Sequence, residues 1–473
     1  MLLNSLEFLY FFVVVLGLYL ALPHRGQNRL LLLASYLFYG VWDYRFLSLI
    51  LLSTIVDFQV GKALGTSNDP RRRKQLVTVS IVFNLGLLAF FRYMSFFAEP
   101  LGELLAGFNV TLNPIFYNIL LPAGISFYTF QTMSYTIDVY RRHLEPTRHF
   151  FDFALFVSFF PQLMAGPIER ATRLLPQVLQ PRKVTWEKLG SGAWLILQGT
   201  FKKVVIADNL AHVVNAVYSE GAEVTAWEVV VGTWAFAWQL YGDFSGYSDV
   251  ARGAARMMGI ELMLNFNLPF LATSPRNYWR RWHISLSTWL RDYVYIPLGG
   301  NRGSNFKTYR NLAITLILAG VWHGPSANKF GFGLLMAVAI CLHRALEHRM
   351  KPLQPSTLAG QSVWWATRVF LNFQFFTLSW ILFVPDSLGK SLDLYAVLLQ
   401  GPWEVGMAGQ WMLPLTVLVS PVLLMHGLQV WFRDLECVPR WPIVVRAATY
   451  VATFLAIVWM GEDFGLPFFY FQF

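Results

Sequence analysis

The sequence has few charged residues and almost no cysteine. Of its 473 residues, 14% are Asp, Glu, Lys or Arg, against about 25% in soluble domains. Its two cysteines, Cys341 and Cys437, stand far apart in the chain, so no disulfide framework or cysteine-based metal site is expected. The strict apolar–polar alternation of barrel strands is also missing. These absences argue against a soluble domain, a disulfide-rich domain and a membrane β-barrel.

Long apolar runs are the dominant feature instead. Hydrophobic residues make up 55% of the chain, and the mean hydropathy is +0.45. Runs such as Leu30–Val41 and Ile314–Val321 are continuous, which favours helices, and lipid cannot pair exposed backbone groups. We therefore predict an all-α polytopic membrane protein with about ten to twelve spans or half-spans of ~20 residues each. We expect one domain over residues 1–473, with N-terminal spans to 145, a core over 146–350 and C-terminal spans over 351–473.

The basic residues follow the apolar runs rather than forming a nucleic-acid surface. The formal net charge is +10, but Lys and Arg cluster in short predicted loops such as His24–Arg29 and Pro70–Lys74, as in cytoplasmic loops. No nucleic-acid partner is expected. The first run, Leu6–Leu22, lacks a preceding basic region and a following cleavage site, so it is predicted to be a span and not a signal peptide. The basic loops then place the N-terminus outside.

One apolar run does not fit a simple crossing. Phe151–Gly166 has Arg148 before it and Arg170 and Arg173 after it, so a full crossing would put one basic flank outside. We predict a re-entrant or half-depth helix that ends near Pro161–Pro167. Irregular backbone at that depth is tolerated only where protein or a water-filled cavity surrounds it.

Two of the nine histidines stand apart from the rest. His283 and His323 each follow a tryptophan, Trp282 and Trp322, and they bracket a polar segment rich in arginine. His323 ends an apolar run, and Gly324-Pro325 after it must break or turn the helix. Because an ionisable side chain at membrane depth is costly, it is a functional hypothesis by default.

A buried imidazole suits acyl transfer. In an apolar site the ring stays neutral and can accept a proton as a general base. A water-poor site also protects an activated acyl donor from hydrolysis. One buried histidine, an acceptor hydroxyl and an activated acyl group therefore make a minimal acyl-transfer site. The alternative is a core histidine bonded to a backbone carbonyl, and the composition leaves both interpretations open.

Other motifs are weaker evidence for a chemical function. No Asp, Glu or Cys stands at metal-ligand spacing from His283 or His323, so no metal site is expected. In Gly242–Gly246 the serine falls one place too late for a nucleophile elbow, and Asp243 is read as a helix cap or part of a polar network. Arg281, in a cluster with other arginines, could hold the phosphates of a CoA-type donor or lie at the membrane interface.

Taken together, these motifs resemble those of the membrane-bound O-acyltransferase superfamily, in its bacterial branch of alginate O-acetylation and teichoic-acid D-alanylation proteins. Pro297–Arg302 and the C-terminal Phe469–Phe473 favour the polysaccharide acetylation group. One segment departs: Pro325–Gly333 stands where the family usually has an aromatic run and a Trp-Gly pair. The most specific matching segments are Pro122–Gln131, Pro161–Glu169, Tyr241–Asp249, Tyr278–Asn301 and Gly320–Gly324.

The resemblance implies a ring of helices around a thinned centre, with a funnel that reaches His323. It implies that His323 is the catalytic histidine and His283 the second histidine of the site. The supporting residues that we select around them are Trp282, Trp322, Asp243, Ser285, Arg281 and Asn301.

The activity expected from the resemblance is O-acyl transfer in the bacterial inner membrane. The acyl donor would be acetyl-CoA or an acyl carrier protein, with no bound cofactor. The acetyl group would pass to an exported polysaccharide such as alginate, directly or through periplasmic acetyltransferase partners, and lipid would surround the protein. The alternatives are D-alanyl transfer to a cell-wall polymer, a transporter, or a scaffold of an export complex. A transporter predicts internal repeats, and the sequence shows none.

Overall fold

The computed structural model describes residues 1–219, 221–350, 355–462 and 468, without the side chains of 348–350. The Phe469–Phe473 motif lies outside these residues. All regular structure within the described ranges is helical, and Phe201–Ala207 and Arg291–Tyr295 are π-helices. The α-helices are α1 Leu6–Ala21, α2 His24–Asp43, α3 Leu47–Thr66, α4 Pro70–Ala106, α5 Ile125–Tyr140, α6 Phe150–Ser158, α7 Phe160–Leu163, α8 Ala171–Leu179, α9 Trp186–Thr200, α10 Asp208–Tyr218, α11 Ala226–Met257, α12 Pro275–Trp279, α13 Ile284–Leu290, α14 Asn305–His323, α15 Ala327–Met350, α16 Leu358–Ser379, α17 Leu388–Gln400, α18 Ala408–Phe432 and α19 Ile443–Met460.

Several of these helices have the length and composition of membrane spans, and their outward faces are apolar. Leu424 in α18 and Val444 in α19 are 67% and 76% exposed, which is typical of side chains that face lipid. The predicted fold class, an all-α polytopic membrane protein, is confirmed. Within the described part of the chain, five stretches are long and apolar enough to cross a membrane: His24–Thr66, Pro70–Ala106, Ala327–Glu347, Ala408–Phe432 and Ile443–Met460.

The two basic runs that we predicted as loops form the first turns of helices. α2 begins at His24, directly after Pro23. α4 begins at Pro70, where the Asp69 side chain accepts hydrogen bonds from the backbone N–H groups of Arg71 and Arg72 at 3.0 and 3.3 Å. A capping aspartate followed by proline at the first helical position starts a helix whatever the hydropathy of the next residues. The loop prediction was wrong because apolar runs locate spans and not helix ends.

The apolar run predicted as a half-depth helix is broken into two short helices. α6 has 9 residues, so it rises about 14 Å, roughly half of a ~30 Å hydrocarbon core. The chain bends at Phe159 before α7. Gly124, with φ +75°, packs against α7. A Cβ at this position would overlap the carbonyl oxygen of Leu163, so there is no room for a side chain. α6 is too short to span, and its depth in the membrane stays a prediction.

The helices group into two compact units, each with its own core. One comprises residues 1–197 and 247–263, and the other comprises residues 198–246 and 264–473. Both candidate histidines and all the supporting residues belong to the second unit. That these units make a single membrane domain stays a prediction.

Two glycines let α14 and α15 cross closely, and this crossing sets the position of His323. A Cβ on Gly320 would lie 2.8 Å from the Cα of Gly333, and a Cβ on Gly333 would lie 3.0 Å from the Cα of Ile317. Three residues after Gly320, α14 ends at His323, and Gly324 is extended. The predicted helix break after His323 is confirmed.

Candidate active site

His283 occupies a left-handed bend between α12 and α13. Its backbone has φ +43° and ψ 54°, and its side chain is buried at 1% exposure. The bend is held because the N–H of Ile284 donates to the carbonyl of Asn265 at 2.9 Å. A left-handed conformation is unfavourable for a residue other than glycine, and such strain concentrates at functional sites.

Asn265 determines which nitrogen of His283 carries the proton. Its Oδ1 accepts from the backbone N–H of Ser285 at 3.2 Å and from the Ser285 hydroxyl at 3.0 Å, and it lies 3.3 Å from His283 Nδ1. A backbone N–H can only donate, so this Asn265 atom is the oxygen. We therefore assign the proton of the neutral His283 ring to Nδ1, which also lies 3.4 Å from the Ser285 hydroxyl. The Nε2 atom of His283 then holds the lone pair. We did not select Asn265 from the sequence, where it stands in an irregular stretch with no motif of its own.

The Trp322 indole lies near the rings of both His323 and His283. The Trp322 ring lies 4.8 Å from the His323 ring and 6.2 Å from the His283 ring, measured between centroids. On its other side, the His323 ring contacts the edge of Phe383 at 5.0 Å. The two Trp-His dipeptides therefore lie in one region of the structure, and the catalytic roles of His283 and His323 stay predictions.

A small cavity lies beside His323. Its volume is about 20 Å³, which is room for about one water molecule. Its walls are almost entirely aromatic, and His323 is buried. The lining residues are Leu240, Tyr278, Trp279, Trp282, His323, Phe332, Phe376, Trp380 and Phe383.

A second cavity shares the Trp279 side chain with the first and is strongly basic. Its volume is about 730 Å³, within the ~300–1,000 Å³ range of ligand sites. No Asp or Glu is among the described residues that line it. Guanidinium groups bind phosphates through paired hydrogen bonds, so the cavity suits a phosphate-bearing molecule. Its charged and polar lining residues are Arg276, Arg280, Arg291, Arg344, His343, Ser287, Thr288, Thr315, Tyr295 and Asn301.

The supporting residues fall into two groups. Trp282, Trp322 and Ser285 contact the histidines or their cavity, and Asn301 lines the basic cavity. Arg281 lines neither cavity and donates to the Asn267 carbonyl at 3.1 Å, which ties together the two sides of the His283 bend.

Asp243 lies in a buried ion cluster instead of lining either cavity. Its carboxylate is 2.7 Å from the Nζ of Lys203, which is also 2.8 Å from Asp208. Lys203 belongs to the π-helix Phe201–Ala207, and π-helices are frequent at functional sites. The next residue, Phe244, contacts the His283 ring at 4.6 Å between centroids. Asp243 is thus one residue from a side chain that contacts His283, and its supporting role stays a prediction.

Comparison with known proteins identifies the family of the chain. The profile of the membrane-bound O-acyltransferase family matches residues 38–384. The chain is 39% identical to a probable alginate O-acetylase of Azotobacter vinelandii, over 86% of this chain and 79% of the relative. It is 36% identical to a probable alginate O-acetylase of Pseudomonas putida, over 100% of both chains. A peptidoglycan O-acetyltransferase of Helicobacter pylori is 33% identical, over 83% of this chain and 79% of the relative.

These matches confirm the resemblance found in the motifs and favour acyl transfer over the transporter and scaffold alternatives. The matched range contains both histidines, their aromatic cavity and the basic cavity. The chain belongs to the membrane-bound O-acyltransferase family, and the protein is a membrane O-acyltransferase.

Proposed function

We propose that the protein is an O-acetyltransferase of the bacterial inner membrane that serves O-acetylation of an exported polysaccharide such as alginate. The observation that carries the proposal is the buried His323 in an aromatic cavity whose wall, at Trp279, is shared with a basic cavity. This arrangement provides a base in a dry site beside a place for an anionic donor. The relatives named alginate O-acetylases support the acceptor class. The N-terminus lies outside the cytoplasm.

The donor is a phosphate-bearing thioester, either acetyl-CoA or the phosphopantetheine of a carrier protein. Both carry phosphate groups, and the basic cavity presents four arginines to them, among them Arg280 and Arg344. The thioester arm passes Trp279 to reach His323. No resident cofactor is required, because the thioester itself is the activated species.

His323 is the general base for the acceptor hydroxyl. It accepts the hydroxyl proton as the acceptor oxygen attacks the acyl carbon, and it returns the proton to the leaving thiolate. His283 shares the proton handling. Because its Nδ1–H donates to Asn265, its Nε2 can accept a proton but cannot donate to the thioester carbonyl while the ring is neutral. Neither serine nor cysteine is needed as a nucleophile.

The acetyl group leaves the membrane for the polysaccharide either directly or through a periplasmic acetyltransferase. Hydroxyls of alginate and of peptidoglycan would undergo the same chemistry, and relatives of both names support this class of acceptor. Alginate is the favoured acceptor because the relatives that match with the higher identities carry its name.

The test is the acetyl content of the cell's polysaccharides with His323→Ala in place of the native protein. We expect at least a ~10²-fold loss of acetylation, the scale of a general base. His212→Ala is the matched control, because the His212 side chain is 73% exposed and far along the chain from the site. Normal acetylation with H323A at normal protein abundance would overturn the mechanism. Loss of acetate from peptidoglycan and not from alginate would overturn the acceptor.

A further inference from the structure

Two neighbouring residues that line the His323 cavity each carry a buried polar group with no hydrogen-bond partner among the described residues. These groups are the hydroxyl of Tyr278 and the indole N–H of Trp279. Both residues line the cavity, and Tyr278 is only 2% exposed. Buried donors are nearly always paired, so two adjacent exceptions in one wall require an explanation.

Local structure holds the Tyr278 ring in place without using its hydroxyl. The N–H of Tyr278 donates to the carbonyl of Ser274 at 2.9 Å in the first turn of α12. The ring stacks on Phe376, with centroids 3.5 Å apart at 22°, and on Trp282, with centroids 5.5 Å apart at 15°. The ring is therefore fixed between two aromatic planes, and its hydroxyl is positioned before any ligand arrives.

The cavity has room for a single oxygen-sized group. Its volume of about 20 Å³ admits one water-sized group. A thioester carbonyl oxygen has that size and can accept two hydrogen bonds. It gains negative charge during acyl transfer, when donors that are already in place stabilise it most.

We propose that Tyr278 and Trp279 form the oxyanion hole of this enzyme and donate to the acyl oxygen of the thioester. They are catalytic residues, because they touch a reacting atom. The inference rests on the proposed function, in which His323 is the base. It adds the hydrogen-bond donors to the acyl oxygen. His283 cannot provide such a donor while its Nδ1–H donates to Asn265.

The step balances as follows. The acceptor oxygen forms a bond to the acyl carbon, its proton moves to His323, and the carbonyl electron pair moves to the acyl oxygen. Tyr278 and Trp279 donate to that oxyanion. The electron pair then reforms the carbonyl, the C–S bond breaks, and the thiolate leaves with the proton from His323. The products are the acyl ester and the free thiol.

The experiment compares purified full-length Tyr278→Phe and wild-type enzyme with acetyl-CoA as donor. Loss of one oxyanion donor lowers kcat by about 10²–10³-fold, and we expect little change in KM for acetyl-CoA. Because the Tyr278 hydroxyl has no partner among the described residues, its removal is expected to leave the unfolding temperature unchanged or higher. A residue with a structural role alone would not combine a large loss of kcat with unchanged stability. Trp279→Phe is expected to lower kcat in the same direction.

The matched control is Tyr218→Phe. The Tyr218 hydroxyl is also buried and has no partner among the described residues, but it does not line the His323 cavity. Y218F should retain wild-type kcat. Wild-type kcat in Y278F would overturn the oxyanion hole. If Y278F has wild-type kcat but H323A is inactive in the same assay, the proposed function stands and only the oxyanion hole is wrong. An active H323A would overturn the proposed function itself.

A second variant covers the case in which Y278F folds poorly. 3-Fluorotyrosine at position 278 keeps the ring and the hydroxyl but makes the O–H a stronger donor. We expect a change in kcat at constant KM and constant unfolding temperature. An unchanged kcat would count against the proposal, because a hydrogen bond that strengthens in the transition state responds to donor acidity.

Discussion

The Nδ1 atom of His283 lies 3.3 Å from the Oδ1 of Asn265, and this oxygen also accepts two hydrogen bonds from Ser285. One amide oxygen therefore sets both the tautomer of the histidine and the start of α13. The carbonyl of the same asparagine holds the strained bend at His283. The side chain and the backbone of Asn265 act together to position one ring.

Asn265→Ala should lower both activity and stability. The Ser285 and His283 donors would lose a buried acceptor, at a cost of about 1–3 kcal/mol in the free energy of unfolding. Loss of a group that orients a functional histidine lowers activity by about 10–100-fold in comparable sites. The checks are thermal unfolding in detergent and acetyl transfer. Ser285→Ala removes the hydroxyl donor but keeps the backbone N–H donor and the Asn265 acceptor, so its effects should be smaller. Equal effects would contradict the tautomer argument.

Arg280→Ala and Arg344→Ala should raise KM for acetyl-CoA and leave kcat nearly unchanged. Both arginines line the basic cavity, and loss of one phosphate contact with a charged donor costs about 1.5–3 kcal/mol, roughly 10–100-fold in KM. Acetyl-pantetheine lacks the phosphates, so its KM should not change. Arg302→Ala is the control, because Arg302 is exposed and does not line this cavity. A similar rise in KM for both donors would contradict the phosphate role.

Gly320→Ala should destabilise the protein and lower its activity. The new Cβ would overlap the carbonyl oxygen of Lys329 and approach the Cα of Gly333, so α14 and α15 must separate. Overpacking of this kind costs about 1–3 kcal/mol in the free energy of unfolding. It also displaces His323, which lies three residues after Gly320 in α14. Unfolding temperature and kcat measure the two effects.

Gly427→Ala is the matched control for this change. Gly427 lies within α18, and nothing lies within 4 Å of a Cβ added there. Its replacement should be neutral or stabilising by up to about 1 kcal/mol. If G320A and G427A behaved alike, the close crossing would not determine the position of His323.

Lys203→Met should be far more damaging than Asp243→Asn. Lys203 contacts both Asp243 and Asp208, and all three are buried. Removing the cation leaves two buried carboxylates uncompensated, which costs about 3–5 kcal/mol. D243N keeps the Lys203–Asp208 pair and should unfold at a temperature closer to that of the wild type. If D243N instead abolished kcat with normal stability, Asp243 would have a direct catalytic role.

Hydropathy was enough to predict the class of the protein, and a few side chains were enough to choose a candidate site, whose catalytic role stays a prediction. Continuous apolar runs predict helical spans, because period and length are local properties of the chain. The Trp-His dipeptides at His283 and His323 stand out because ionisable groups are rare in such runs. Helix starts were less predictable. The helix at Pro70 begins at the capping residue Asp69 and the helix at His24 begins directly after Pro23, and hydropathy reports neither signal.

The sequence by itself determined the all-helical membrane fold, the family and the two histidines of the candidate site. Only the tertiary structure decided their surroundings: Asn265 beside His283, Trp322 in contact with the His283 ring, and Tyr278 stacked on Phe376. The physical reason is how far apart in the chain the interacting residues are. Helix formation and hydropathy depend on neighbours within a few residues. A cavity wall depends on side chains that are about a hundred residues apart in the chain and meet only when the helices pack.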